Sequence, residues 1–173
     1  SDTRPSHAAE CFDPVIGVWK ILPAMTTARS KLSLIAVGGN IIACGGMGRQ
    51  GRALDSAERL DTEAQMWEAL PAMCSARLSA SSLTSGCFAY ICGGLGRHSR
   101  ALSCAERWNA VANMWEPLPP MRTARVSASI CTLDRHFYVV GGMGIDQRPV
   151  SSAECFIPAS WIWEQLPNMS VAR

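Results

Sequence analysis

The sequence has few of the residues from which catalytic and metal sites are usually built. It contains three histidines and two tyrosines, and no two cysteines stand in a Cys-x-x-Cys pair. His7, His98 and His136 share no ligand spacing, and no serine stands in a nucleophile elbow. We therefore expect no metal site, no cofactor and no catalytic residues in this chain.

An excess of one charge sign and an unbroken apolar run are also missing. Sixteen basic residues face 14 acidic ones, which argues against a general binder of nucleic-acid phosphates. The uncharged stretch 33–48 contains five glycines and an asparagine, so it is too broken for a membrane helix. No basic-then-apolar leader opens the chain, and no signal peptide is expected. These features predict a cytoplasmic or nuclear location, with no nucleic-acid or membrane partner.

Eight cysteines are present, and their even number permits a disulfide framework. Seven of them lie in apolar, strand-like runs, where a thiol behaves as a small hydrophobic side chain: Cys11, Cys44, Cys87, Cys92, Cys104, Cys131 and Cys155. We expect buried free thiols in a reducing compartment. Disulfides are the alternative, which the sequon Asn168-Met169-Ser170 would favour.

One twelve-residue phrase occurs four times at intervals of 48 residues: VWKILPAMTTAR (18–29), MWEALPAMCSAR (66–77), MWEPLPPMRTAR (114–125) and IWEQLPNMSVAR (162–173). The residues that recur with this period are Trp19, Trp67, Trp115 and Trp163; Glu10, Glu58, Glu106 and Glu154; Arg29, Arg77 and Arg125; and the doublets Gly45-Gly46, Gly93-Gly94 and Gly141-Gly142. The period divides the chain into the outer half of a first unit (1–28) and three units (29–76, 77–124 and 125–173).

Each unit is predicted to contain four short strands. A run of small residues such as SASSLT (79–84) precedes an alternating aromatic-aliphatic run that ends in the glycine doublet, FAYICGG (88–94). A polar loop, the strand SCAERW (103–108) and the proline-stopped tryptophan strand follow. Four strands per repeat, stacked serially, predict a propeller blade whose small-residue strand lies innermost.

The run IIACGGMG to SAERLD to MWEALPAM (41–73) resembles a kelch repeat, with its Gly-Gly doublet, its Glu and its spaced tryptophan. The stretch AECFDPVIGVW (9–19) also keeps the aromatic-Asp-Pro turn of that family. In other units Leu60 replaces the aromatic residue, and NA (109–110) or IP (157–158) replaces Asp-Pro. The resemblance implies an all-β, kelch-type β-propeller of about three and a half four-stranded antiparallel blades. Kelch propellers usually close with more blades, so we expect this to be part of a longer propeller.

The once-per-blade Glu and Arg residues are predicted to be structural, because a residue in every blade is distributed around the ring rather than gathered at one site. The sequence GMGRQG (46–51) satisfies the dinucleotide fingerprint G-x-G-x-x-G. That fingerprint requires a following helix, whereas a strand follows here. We interpret these glycines as a tight exit from the second strand.

The loop after the glycine doublet varies between units: MGRQGRALDS (47–56), LGRHSRALSC (95–104) and MGIDQRPVSS (143–152). In peptide-binding kelch domains, this loop and the one that enters the innermost strand form the ligand face. By this resemblance the candidate partner-binding residues are Lys31, Arg49, Arg52, Ser79, Arg97, His98, Arg100, Ser127 and Arg148. Guanidinium groups suit carboxylates and phosphates, which favours a partner with an acidic segment. The alternative is that these arginines only solvate surface loops.

The resemblance favours a non-enzymatic protein-interaction module. Many similar proteins are substrate adaptors of cullin-type ubiquitin ligases, joined through a BTB-BACK region that is absent from this sequence. A catalytic kelch propeller, such as a copper oxidase or a sugar isomerase with its site in other blades, is one alternative. An actin or cytoskeletal scaffold is the other.

Overall fold

The structure, a computed structural model, describes residues 4–173, and nearly all of its regular elements are five-residue β-strands. A short 3-10 helix spans Arg97–Ser99. The strands are β1 (Ala9–Asp13), β2 (Val18–Leu22), β3 (Ser33–Val37), β4 (Asn40–Cys44), β5 (Ala57–Asp61), β6 (Met66–Leu70), β7 (Ser81–Ser85), β8 (Phe88–Cys92), β9 (Ala105–Asn109), β10 (Met114–Leu118), β11 (Ser129–Leu133), β12 (His136–Val140), β13 (Ala153–Ile157) and β14 (Ile162–Leu166).

The strands of the described residues form three four-stranded antiparallel sheets and one two-stranded sheet. Each four-stranded sheet follows chain order, β3 to β6, β7 to β10 and β11 to β14, and β1 pairs with β2. The first strands of successive sheets lie beside each other, β3 next to β7 and β7 next to β11. This arrangement confirms the all-β partial propeller, and each sheet is one blade.

Small residues allow the innermost strands to approach closely. Ser33 donates its hydroxyl to the carbonyl of Ala80 at 3.2 Å, and Ser81, one repeat later, donates to Ala128 at 2.6 Å. A bulky side chain at these positions would hold the strands apart. The serines therefore also join β3 and β7 to the blade that follows each of them.

Hydrophobic cores lie between the blades rather than inside any one of them. Ile42, Ile91 and Trp108 belong to one buried cluster shared by the second and third blades. Phe137 and Phe156 of the fourth blade pack in another cluster that includes residues of the third. Each blade thus depends on its neighbours for burial of its apolar faces.

The glycine doublets are placed where no side chain fits. Gly93 has a φ of +63°, and a Cβ there would lie 2.5 Å from the carbonyl oxygen of Arg125. Gly45 and Gly141 have the same left-handed conformation and equally close backbone neighbours. The doublets therefore allow the end of the second strand to pack directly against the backbone of the segment that leads to the next blade.

A chain of backbone hydrogen bonds crosses the blades at the start of the inner strands. Lys31, Ser79 and Ser127 all adopt left-handed backbone conformations, with φ between 50° and 53°. The N–H of Ser79 donates to the carbonyl of Lys31, and the N–H of Ser127 donates to the carbonyl of Ser79, both at 2.9 Å. This axial chain fixes the backbone at three of the residues that the sequence assigned to partner binding.

Three of the repeated tryptophans join neighbouring blades. The indole N–H of Trp67 donates to the carbonyl of Pro23 at 2.8 Å, and Trp115 and Trp163 make the same bond to prolines 44 residues earlier. Trp19 differs, since 66% of its surface is exposed. Its sheet, β1–β2, has a blade on one side only in the described structure.

The prediction of buried thiols is correct for Cys44, Cys92 and Cys155 only. Cys104 is half-buried, and the other three of the seven predicted positions, Cys11, Cys87 and Cys131, are exposed. Cys131 is exposed because it lies on β11, the inner strand of the final blade. Cys87 is exposed because it lies in the hairpin before β8. All eight cysteines are free thiols, so no disulfide ties the blades together.

Candidate functional site

The repeated arginines and glutamates form buried ion pairs, which we call the Arg–Glu locks. In one lock, Arg77 pairs with Glu106 and also donates to the backbone carbonyls of Gly93 and Cys104. Glu106 accepts the backbone N–H of Cys74 at 2.7 Å. Each lock therefore fastens a crossing segment to the two central strands of the following blade. The three locks are Arg29–Glu58 at 2.8 Å, Arg77–Glu106 at 2.6 Å and Arg125–Glu154 at 3.0 Å.

Burial and hydrogen bonding shift the pKa of Glu58 in opposite directions. Burial raises the pKa of this carboxyl, whereas hydrogen bonds from Thr26 and Arg29 lower it, and the net effect holds its pKa below its usual range. Glu58 is therefore ionised at neutral pH and has bonding partners inside the protein. These contacts give the locks a structural role and leave them no surface for a partner.

Glu10 does not have the environment of the other repeated glutamates. It is exposed on β1, where Ile21 is its cross-strand neighbour. Each lock arginine stands 29 residues before its glutamate, and the described chain begins only six residues before Glu10. Glu10 is thus a surface residue of the described structure.

The variable loops and the crossing segments meet at the same edge of the blades. We call this edge the loop face and define it as residues 26–32, 47–56, 74–80, 95–104, 122–128 and 143–152. Bridges between Ser30 and Met47 and between Leu78 and Leu95 join the two kinds of segment. All nine candidate partner-binding residues lie on this face.

A groove of about 830 Å³ lies on the loop face between the loops of the second and third blades. Lys31, Arg52, Arg97 and His98 line it, together with apolar residues such as Leu95. The structure therefore brings four of the candidate residues into one concavity. We call it the central groove.

Smaller grooves lie on either side of the central groove. The first, of about 370 Å³, is lined by Arg49 and Arg52 together with His7. The other, of about 340 Å³, lies between the loops of the third and fourth blades and contains Met143 and Ile145. We call the latter the apolar groove, since its lining also includes Leu95, Ala101 and Val126.

Two of the candidate arginines are engaged by a neighbouring blade. Arg97 forms an ion pair with Asp55 at 2.7 Å, and Arg49 lies 2.9 Å from the ring nitrogen of His7. His7 and Asp55 stand 48 residues apart, as do Arg49 and Arg97, so these are equivalent ties. Arg49 and Arg97 thus connect loops of neighbouring blades while remaining exposed, and their role in partner binding stays a prediction.

Three other candidate arginines present their side chains to solvent. Arg52, Arg100 and Arg148 are exposed, and within residues 4–173 their guanidinium groups make no hydrogen bond or ion pair. They stand 48 residues apart, so these three positions recur with the repeat although the loops around them vary. Arg4 occupies the same position one repeat earlier.

The remaining candidates are Lys31, Ser79, Ser127 and His98, of which Lys31 and His98 line the central groove. Lys31 and Ser127 are exposed, Ser79 is half-buried, and all three take part in the axial chain through their backbones. His98 is exposed in the 3-10 helix with a φ of 65°. The loop face therefore combines a fixed backbone with exposed cationic and polar side chains.

Sequence reasoning did not find Ile145, a loop-face residue that is 75% exposed. A signal was available, because Ile145 occupies the position of Arg49 and Arg97. An isoleucine cannot form the polar contact by which those arginines bind the preceding blade. The junction between the third and fourth blades therefore lacks this arginine contact, and Ile145 lines the apolar groove there.

The described residues contain no cluster of three or more His, Cys, Asp or Glu side chains that could hold a metal ion. In this part of the chain there is also no helix suited to spanning a membrane.

Successive antiparallel blades around a common inner edge define the class as a β-propeller, here a partial one. Three stretches match the kelch motif, at residues 28–73, 76–122 and 124–170, and the chain therefore belongs to the kelch-repeat family. The fold is similar to that described in "Structure of YjhT", with a TM-score of 0.81 and 10% identity over 98% of this chain and 67% of that one. The sequence matches no curated protein.

Proposed function

We propose that this chain is a non-enzymatic protein-interaction module whose loop face binds a protein or peptide with an acidic segment. One observation carries the proposal: Arg52, Arg100 and Arg148 are exposed on one face with no bonding partner in residues 4–173. Kelch repeats commonly mediate protein binding, and loops on a rigid β scaffold are a frequent place for it.

The charge balance of the loop face supports an acidic partner. Its acidic residues Asp55 and Asp146 are both engaged, one by Arg97 and the other by the backbone N–H of Arg148. The cationic groups left for a ligand are Lys31, Arg122 and the arginines at 52, 100 and 148. Guanidinium groups bind carboxylates with two parallel hydrogen bonds, which favours an acidic peptide over a neutral one.

Selection from a random peptide library displayed on phage tests this proposal. We expect enrichment of acidic peptides, and binding that is lost when Arg52, Arg100 and Arg148 are together replaced by Gln. Arg135→Gln is the matched control, because Arg135 is exposed in the β11–β12 hairpin at the opposite edge. Peptides whose binding is equally weakened by the control, or no enrichment at all, would contradict the proposal.

For the complete protein we propose the role of substrate-recognition part of a cullin ubiquitin ligase, acting in the cytoplasm or nucleus. Its support is the family membership alone. Co-purification of the full-length protein with a cullin tests it. A full-length sequence without a cullin-binding region would overturn the adaptor role and leave the interaction module untouched.

A further inference from the structure

An arginine is held in the same way in three consecutive loops. The carbonyls of Arg52, Arg100 and Arg148 accept backbone hydrogen bonds from the glycine four residues earlier in each loop, at 2.9–3.0 Å. The backbone of each loop is therefore closed, and the three side chains leave it at equivalent points. We call these residues the arginine row.

The fold gives no account of the arginine row. The lock arginines of the same repeat, such as Arg77, are buried and bonded to backbone carbonyls and a glutamate. The tie arginines, such as Arg97, bond to the neighbouring blade. The row arginines are exposed and make no hydrogen bond through their side chains within residues 4–173, so their positions fit an external anion.

The apolar groove lies between two members of the row. Ser99 and Ala101, on either side of Arg100, line this groove, as does Gln147 immediately before Arg148. Ile145, which replaces a tie arginine, contributes an exposed apolar surface to the same groove. An apolar side chain placed here would be flanked by two guanidinium groups.

We propose that the arginine row binds the carboxylates of one extended acidic segment that runs across three blades, with an apolar side chain of that segment in the apolar groove. This inference rests on the proposed function, because it specifies the peptide that the loop face binds. Packed sheets lie about 10 Å apart, and an extended segment in the polyproline II conformation advances about 3.1 Å per residue and presents every third side chain on the same face. The carboxylates are therefore expected about three residues apart, and the apolar residue between the two nearest Arg100 and Arg148.

Synthetic fluorescent peptides of equal composition test the spacing. One carries three glutamates at three-residue intervals with a leucine between the second and third, and another carries the same glutamates in one block. We expect the spaced peptide to bind the chain about tenfold more tightly by fluorescence anisotropy. Equal affinity of the two peptides would overturn the inference and indicate diffuse charge attraction.

Single substitutions test the arginine row itself. Arg52→Gln, Arg100→Gln and Arg148→Gln are each expected to weaken the spaced peptide about three- to tenfold, and Arg135→Gln to leave it unchanged. Because all four residues are exposed, each variant should unfold at the same urea concentration as the unchanged chain. A double-mutant cycle between Arg100→Gln and Glu→Gln in the peptide should show coupling for one glutamate only.

The apolar groove is tested by exchanging the leucine of the spaced peptide for serine. We expect this exchange to weaken binding to the unchanged chain about fivefold and to have little effect in Ile145→Ser. A leucine preference that survives Ile145→Ser would overturn the groove assignment.

The two proposals fail in different ways. If the triple arginine variant loses the library-selected peptides but the spaced and block peptides bind the unchanged chain equally, the arginine row is wrong and the interaction module stands. If no peptide binding depends on any loop-face residue, both are overturned.

Discussion

Glu58 and Glu10 occupy the same position of the repeat in different physical environments. Glu58 is buried and accepts hydrogen bonds from Thr26, Thr27 and Arg29, whereas Glu10 is exposed on β1. Breaking a buried ion pair leaves an unpaired charge without solvent, while an exposed carboxylate loses little. Comparing the same substitution at Glu58 and at Glu10 therefore separates the stability contributed by the buried ion pair from the effect of replacing a glutamate.

We predict that Glu58→Gln lowers the free energy of unfolding by about 3 kcal/mol, because it leaves the guanidinium of Arg29 without its counter-charge. Urea denaturation followed by tryptophan fluorescence measures the change. Glu10→Gln is the control and should change stability by less than about 0.5 kcal/mol. Similar effects of the two substitutions would show that the lock is not a source of stability.

Stability should also depend on pH through Glu58. Because its pKa is lower in the folded protein than in the unfolded chain, its contribution is present above the ordinary carboxyl value of 4.5 and lost as the pH falls through the folded value. We predict that the free energy of unfolding falls as the pH is lowered below about 5, and that it falls less steeply in Glu58→Gln. Parallel curves for the two proteins would contradict this assignment.

At single positions, the sequence only partly distinguished structural residues from solvent-exposed ones. The period of 48 was sufficient to predict structural roles for Arg77 and Glu106, which the structure places in one lock. The same period also relates Arg52 to Arg100, although the loops around them vary. Periodicity shows that a residue is repeated, but it does not show whether the repeated side chain faces the core or the solvent.

At the scale of the strand, one repeated hydrogen bond joins the outermost strands of neighbouring blades. The indole of Trp115 on β10 donates to the carbonyl of Pro71, which follows the outer strand of the preceding blade. Trp19 on β2 is largely exposed. One such hydrogen bond therefore recurs at each junction between the outer edges of neighbouring blades.

We predict that Trp115→Phe destabilises the chain by about 2 kcal/mol, because it removes both this hydrogen bond and part of a buried ring. Trp19→Phe is the matched substitution on the exposed site and should change stability by less than about 0.5 kcal/mol. The difference is measurable by urea denaturation with circular dichroism. A larger effect at Trp19 than at Trp115 would mean that the indole hydrogen bond is not what holds the outer strands together.

The four strands of each blade were predictable because turn residues and alternation mark each one. FAYIC at 88–92 and MWEPL at 114–118 coincide with β8 and β10. Burial within the strands was less predictable, since it depends on which blades stand beside each strand. β11 is mostly exposed, whereas β3 and β8 are alternately or largely buried.

For the molecule as a whole, the outward side of the β1–β2 sheet is an apolar surface. Trp19 and Ile21 lie two residues apart on β2, with 66% and 88% of their surfaces exposed, and Phe12 lies beside Trp19 at a ring separation of 5.4 Å. Contiguous exposed apolar surface favours association. The described chain should therefore associate with itself at high concentration.

We predict that Ile21→Lys reduces this association and shifts the sedimentation-equilibrium mass toward the 18.6 kDa of a single chain. Val111→Lys is the control, because Val111 is equally exposed but isolated in the β9–β10 turn. The control should leave the mass distribution unchanged. Equal effects of both lysines would indicate that added charge, rather than this sheet face, governs solubility.

The axial chain through Lys31, Ser79 and Ser127 has a consequence for the timescale of exchange with solvent. Residues that begin a strand from a left-handed loop position normally exchange their amide protons for deuterium quickly. Here the amides of Ser79 and Ser127 are held by the carbonyl of the preceding blade, so they can exchange only when two blades part. Deuterium uptake at Ser79 would therefore report the opening of the junction between the second and third blades, and uptake at Ser127 that of the junction between the third and fourth.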